Sequence, residues 1–337
     1  MKTWRDSWQH YRNSGENARG KISPAGDANW KHLLQERQLS NETNPVEYGS
    51  IVVDGLNIAY REAGDRANPK LVLLHGFPSS SHQYRDLIRA LSGRFHLIAP
   101  DYPGFGLSDT PDPETFAYTF DRIAEIMGRF LSLKGFQRFG LYVQDYGGPV
   151  GFRLVEANPD SLEWLIVQNS NAYEVGFSPA WAGIHVLWKT RSEETEAPLR
   201  ALLARETIKT IYLHGANRPE LVSPDAWESD IALLQRPHAE RLHLDLFHDY
   251  HTNVLRYPRW QAFLRERRPE TLIFWGQGDI FFTPAGGDAY LADLPSAEMH
   301  RLDAGHFAVE EHLDYVAKNI ELFYSSRVAS TKRSRAA

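Results

Sequence analysis

The residue with the plainest chemical promise is an aspartate at the end of an apolar run, Gly140-Leu141-Tyr142-Val143-Gln144-Asp145-Tyr146-Gly147-Gly148. The run reads as a buried strand, two glycines follow the acid, and a helix-like segment from Pro149 to Glu156 begins at once. A sharp strand–turn–helix of this kind lifts one side chain clear of a sheet and needs small neighbours. Serine usually occupies that point; here it is Asp145. A carboxylate is already ionised at neutral pH, so it can attack carbon without a base to deprotonate it first. Taken alone, the same residues also fit a strand-to-helix loop with an aspartate N-cap.

The elements needed to hold such a group can be traced along the chain. Ile51 to Tyr60 suggests a strand pair around Asp54-Gly55, and Leu71 to Leu74 and Phe95 to Ala99 read as buried strands. Tyr84 to Leu91 and Phe120 to Leu133 repeat apolar residues at helical spacing. Phe139 to Val143 and Leu162 to Val167 add two more strands. Alternating strands and helices predict a parallel sheet covered on both faces. The alternation stops between Ala172 and Arg268, which is helix-like and rich in aromatic residues, and resumes at Leu272 to Trp275 and Glu298 to Leu302.

Two more segments accompany the aspartate: Leu71-Val72-Leu73-Leu74-His75-Gly76-Phe77-Pro78, and His96-Leu97-Ile98-Ala99-Pro100-Asp101 running into Tyr102-Pro103-Gly104-Phe105-Gly106-Leu107-Ser108-Asp109. In this order, with the D-Y-G-G turn, they resemble the α/β-hydrolase family in its branch with an aspartate nucleophile, the epoxide hydrolases and haloalkane dehalogenases. The resemblance spans roughly residues 48–325. It implies an α/β-hydrolase fold, a mostly parallel sheet flanked by helices with an inserted helical cap. The expected divisions are an N-terminal extension over 1–45, core over 46–171 and 269–327, cap over 172–268, and a disordered tail over 328–337. A triad in this fold runs nucleophile, acid, histidine. Gly276-Gln277-Gly278-Asp279 and Asp303-Ala304-Gly305-His306-Phe307 occupy the matching loops, so the resemblance assigns Asp279 as the acid and His306 as the base. The alternative acid position after the strand ending at Val167 reads Gln168-Asn169-Ser170-Asn171 and offers no carboxylate.

The implied chemistry is cofactor-free. Asp145 forms an ester with the substrate, and His306, oriented by Asp279, activates a water that hydrolyses it. The backbone N–H groups of Phe77 and Tyr146 form the oxyanion hole. Dehalogenases usually carry Trp after the nucleophile and often Asn after His-Gly, where this chain has Tyr146 and Phe77. Epoxide hydrolases share H-G-F-P and open the ring with cap tyrosines; Tyr212, Tyr250 and Tyr257 are the candidates, with Tyr173 at the cap's entrance. Each of these phenols also fits simple packing in an aromatic-rich cap. Epoxide hydrolysis leads, with a haloalkane dehalogenase as the alternative. A lyase or isomerase on the same fold, and a small-molecule receptor that moves its cap, are the readings from other classes.

The rest of the chain narrows the partners. Net charge is −6, with no basic footprint for nucleic acid. There is no cysteine, so disulfides, thiolate metal sites and cysteine nucleophiles are all excluded. His243, His248 and His251 cluster without H-E-x-x-H and read as exposed histidines, not a metal site. Residues 1–35 are polar, hold Trp4, Trp8 and Trp30, and contain no signal-peptide core; Trp30 to Gln38 suggests a short helix. The expected partners are a small apolar organic substrate and water, with neither nucleic acid nor membrane, for a cytoplasmic monomer or homodimer.

Overall fold

A computed structural model describes residues 44–330. Residues 1–43 of the expected extension, with its tryptophans, lie outside the described residues, as do residues 331–337. Eight strands form one sheet: β1 (Glu47–Val53), β2 (Leu56–Ala63), β3 (Lys70–Leu74), β4 (His96–Pro100), β5 (Phe139–Gln144), β6 (Leu162–Gln168), β7 (Glu270–Gly276) and β8 (Glu298–Leu302). The order is β1-β2-β4-β3-β5-β6-β7-β8. β1 and β2 form an antiparallel hairpin at Asp54-Gly55, both in the left-handed region, and β2 pairs antiparallel with β4; every other pairing is parallel.

Helices α1 (Arg85–Leu91), α2 (Phe120–Leu133) and α3 (Gly147–Ala157) connect the first parallel strands. Between β6 and β7 the chain forms helical segments and no strand, the α-helices being α4 (Ala182–Lys189), α5 (Glu193–Glu196), α6 (Arg205–Leu213), α7 (Pro224–Leu234), α8 (Ala239–Asp249) and α9 (His251–Arg267). α10 (Pro284–Asp293) links β7 to β8, and α11 (Ala308–Glu311) and α12 (Leu313–Phe323) follow. Helical backbone continues to residue 330 with Val328 buried, beyond the expected end of the core at 327.

The apolar periodicity explains the layering. α2 buries Phe120, Ile123, Met127 and Phe130, a stripe at three- and four-residue spacing, and Thr119 caps it by accepting from the Arg122 N–H at 3.1 Å. β4 and β5 are buried along their whole length, as strands covered on both faces must be. Two apolar clusters result. One joins α2, α3 and the helical insertion to one sheet face, and the other packs α1 and α12 on the opposite face.

The connections decide where a site can form. After β3 the chain steps to β4 on one side, then crosses back to β5 on the other. In open α/β sheets, ligands bind at the carboxyl ends of the strands where the order reverses in this way. Here that crevice lies beyond Leu74 and Gln144, and it receives both Phe77 and Asp145.

Candidate active site

Asp145 follows the last residue of β5 with φ = 47°, a left-handed backbone that a non-glycine residue adopts only at some cost. The surroundings hold it there. Its amide donates to Asn169 O at 3.2 Å, and its carbonyl accepts from Ser170 Oγ at 2.8 Å and from the Gly148 amide at 3.0 Å. The turn also requires close approach: a Cβ on Gly147 would lie 2.0 Å from Leu74 O, and one on Gly148 would lie 2.0 Å from Ser170 Oγ. The glycine pair read from the sequence is thus a packing requirement.

Two amides converge on one carboxylate oxygen. Phe77 N–H donates to Asp145 Oδ2 at 2.8 Å and Tyr146 N–H donates to the same atom at 2.6 Å. Asp145 Oδ1 lies 3.7 Å from His306 Nε2. His306 is fully buried, and its Nδ1 is 2.9 Å from Asp279 Oδ2. The structure therefore brings all five expected residues together, from loops after β3, β5, β7 and β8.

A residue passed over in the sequence completes the arrangement. Asn169, after β6, donates from Nδ2 to Asp279 Oδ2 at 2.8 Å and to Gly276 O at 3.1 Å. Its Oδ1 accepts from the Gly276 amide at 2.8 Å. Phe281 N–H donates to Asp279 Oδ1 at 2.7 Å, so both carboxylate oxygens are held. The segment offers no carboxylate of its own; its carboxamide instead fixes the acid. The signal was Asn169's place one residue past a strand end.

Burial and charge act on the titrating groups in opposite senses. Burial pushes Asp145 up to about 6, against the pull of His306 and the two amide donors. Burial disfavours charge on His306, but Asp279 and Asp145 outweigh it, so the imidazole titrates above its usual value. The site can thus present an ionised carboxylate beside a histidine that readily takes a proton.

The expected tyrosines separate. Tyr250, between α8 and α9, has its ring 6.0 Å from that of Tyr146, and its phenol oxygen is 3.4 Å from that of Tyr257 on α9. Burial raises both phenols, and the charge of Asp145 adds to the effect on each. Tyr212, on α6, instead stacks on Phe307 at 4.0 Å and donates to Asp230 at 2.5 Å. Tyr173 donates to Asp293 at 2.7 Å. The Trp181 and Trp188 indoles donate to the carbonyls of Phe281 and Phe247, at 3.1 and 2.8 Å.

The expectation of three exposed histidines is corrected. His248 and His251 are half-buried, and His243 is buried: its ring packs edge-on against Phe77 at 5.3 Å and Phe105 at 5.1 Å. Desolvation pushes its pKa down to about 3, so it is neutral. Among the described residues no helix is long and apolar enough to cross a membrane.

Comparison with known proteins agrees with this architecture. The family model described as the alpha/beta hydrolase fold matches residues 69–313. An uncharacterized hydrolase of Saccharomyces cerevisiae is 39% identical over 273 residues, covering 80% of this chain and 93% of that protein. A haloalkane dehalogenase of Bradyrhizobium diazoefficiens is 26% identical over 302 residues, covering 82% of this chain and 93% of that enzyme. Among solved structures, the epoxide hydrolase CorEH superposes with a TM-score of 0.66 at 21% identity, over 83% of this chain and 99% of its own, a likeness of fold. With the family match covering most of the chain and the sheet order and turn geometry in accord, this protein belongs to the α/β-hydrolase fold family and is a hydrolase-fold enzyme.

Proposed function

We propose that the protein hydrolyses epoxides through an ester on Asp145. The observation that carries this reading is the unequal environment of the two carboxylate oxygens. Oδ2 accepts both amide N–H groups, while Oδ1 faces His306 at 3.7 Å. Oδ1 is then the attacking atom, and Oδ2 becomes the ester carbonyl, already seated between the donors that will stabilise its negative charge.

The steps follow. Oδ1 forms a bond to an epoxide carbon, the ring C–O bond breaks, and the ring oxygen takes a proton from a phenol. His306 then removes a proton from water, and the oxygen attacks Asp145 Cγ. The oxyanion on Oδ2 collapses, the Cγ–Oδ1 bond breaks, Oδ1 takes the proton of the new carboxyl hydroxyl, and the diol leaves with the Asp145 carboxylate restored. The proton on His306 returns to the phenolate through solvent. Asp279 serves the second step by keeping Nδ1 protonated and stabilising the imidazolium. No step requires a metal or an organic cofactor.

Tyr250 and Tyr257 support ring opening, since their phenol oxygens lie 3.4 Å apart and the Tyr250 ring packs 6.0 Å from that of Tyr146, the residue next to Asp145. Halide departure finds less support, because Phe77 and Tyr146 carry no side-chain N–H and the Trp181 and Trp188 indoles already serve backbone carbonyls. The similarity to a haloalkane dehalogenase keeps that reaction as the second reading, with the same ester. The test is a panel of epoxides and 1-haloalkanes assayed for diol and for halide. Diol formation alone supports the proposal. Halide release without activity on any epoxide would replace it with the second reading.

A further inference from the structure

One buried polar group at the site has no role in the steps above. Gln144, the last residue of β5, is fully buried, and its Nε2 lies 2.9 Å from His306 Nε2, nearer than Asp145 Oδ1 at 3.7 Å. The same nitrogen is 3.5 Å from the His306 carbonyl oxygen. Its Oε1 is buried with no hydrogen-bond partner in the protein, beside Gly76, where an added Cβ would come within 2.8 Å of it.

We propose that Gln144 is a positioning residue for His306: its carboxamide holds the outward ring nitrogen as a proton acceptor and then lodges the water that hydrolyses the ester. This rests on the ester reading above. The orientation of the amide follows from the ring. Nδ1 faces the Asp279 carboxylate and therefore carries a hydrogen, so the neutral ring presents Nε2 as an acceptor. Only the N–H edge of Gln144 can meet that lone pair.

Timing follows from the neighbouring charges. The titratable groups facing His306 are Asp279, from the loop after β7, and Asp145, from the turn after β5. Its other close neighbours, Phe281, Phe282 and Phe307, are apolar. Alkylation turns Asp145 into a neutral ester and removes one of two charges that hold a proton on the ring. The Gln144 N–H then weighs further against that proton, leaving Nε2 free to act as base. An arriving water takes the place of the N–H as donor to Nε2, and Gln144 Oε1 accepts its other hydrogen. His306 receives the first proton, the oxygen attacks Asp145 Cγ, and the Cγ–Oδ1 bond breaks.

The experiment follows ester decay by quenched-flow mass spectrometry in the full chain, with styrene oxide as probe, across pH. Gln144→Met keeps the side-chain length and loses the donor. Its decay should lose rate on the acid side, with the acid limb about one pH unit higher than in the wild type, a tenfold loss near that limb. Gln144→Glu places a carboxylate beside Nε2 and should move the limb further in the same direction. If Gln144→Met does not fold, the Glu variant carries the test. An unmoved limb, or a loss of equal factor at every pH, overturns the positioning role. If neither wild type nor His306→Gln yields an ester, the ester reading falls and this inference with it. An ester that forms while the limb stays fixed defeats this inference alone.

Discussion

Replacing Asp145 with Asn should make the protein more stable while abolishing turnover. In the fold the carboxyl titrates at about 6, against an ordinary 3.8, because burial outweighs the favourable contacts from His306 and the amides of Phe77 and Tyr146. A raised carboxyl pKa means that the folded state holds its proton more tightly than the unfolded state does. Stability is therefore greatest below pH 4 as far as this group is concerned, falls as pH rises from about 4 to about 6, and stays reduced above that. At about 1.4 kcal/mol per pH unit the penalty at neutral pH is about 3 kcal/mol. Asn keeps the shape, leaves an oxygen for the two amide donors, and tolerates a left-handed φ better than most residues. Part of the gain is lost with the charge that faces His306, so a net stabilisation of about 1–3 kcal/mol is expected, or a rise in melting temperature of about 5 °C. Urea unfolding of wild type and Asp145→Asn at pH 7.5 and pH 4 measures it. The two curves should differ at pH 7.5 and approach each other at pH 4. An Asn variant no more stable at pH 7.5, or equally stabilised at both pH values, would refute the reasoning.

Other outcomes follow from the same geometry. His306→Gln should form the ester and fail to hydrolyse it, so intact mass spectrometry should find protein heavier by one substrate; turnover at the wild-type rate would remove His306 from the mechanism. Asp279→Asn should slow ester decay, since the imidazolium loses the partner at 2.9 Å, and single-turnover decay rates check this. Tyr250→Phe should slow ester formation about a hundredfold, the usual scale for one general acid, as read by rapid quench. Tyr212→Phe should leave ester formation intact but lower the melting temperature, because the buried Asp230 loses its phenol donor. The rate of ester formation should fall as pH drops through about 6, where Asp145 becomes protonated; a rate flat down to pH 4 would contradict that assignment.

The loops that carry the candidate site were legible because their constraints are local. A strand that must end in a sharp turn advertises itself by glycines, and Gly147 has no room for a Cβ beside Leu74. Asp279 and His306 could be placed because each falls in the loop after a strand, and chain order supplies the rest. The helical insertion was recognised as helical, but which of its faces meet the site was not readable. Helical periodicity marks an apolar side without naming what covers it. Tyr212 therefore looked equivalent to Tyr250, although its phenol is spent on Asp230 from another helix. His243 looked exposed for the same reason; only the packing of α8 against the loops of Phe77 and Phe105 buries it. Asn169 escaped notice because a carboxamide that clamps an acid has no fixed spacing from it. Gln144 was visible beside Asp145, but its contact with His306 spans the sheet.

The most direct test of the account is the origin of the product oxygen. Wild-type enzyme in excess over an epoxide, in ¹⁸O-labelled water, should give a first-turnover diol with no label, and the label should appear in Asp145 on peptide mapping. Labelled diol with unlabelled Asp145 would mean that water attacks the substrate directly, and the ester mechanism would be wrong.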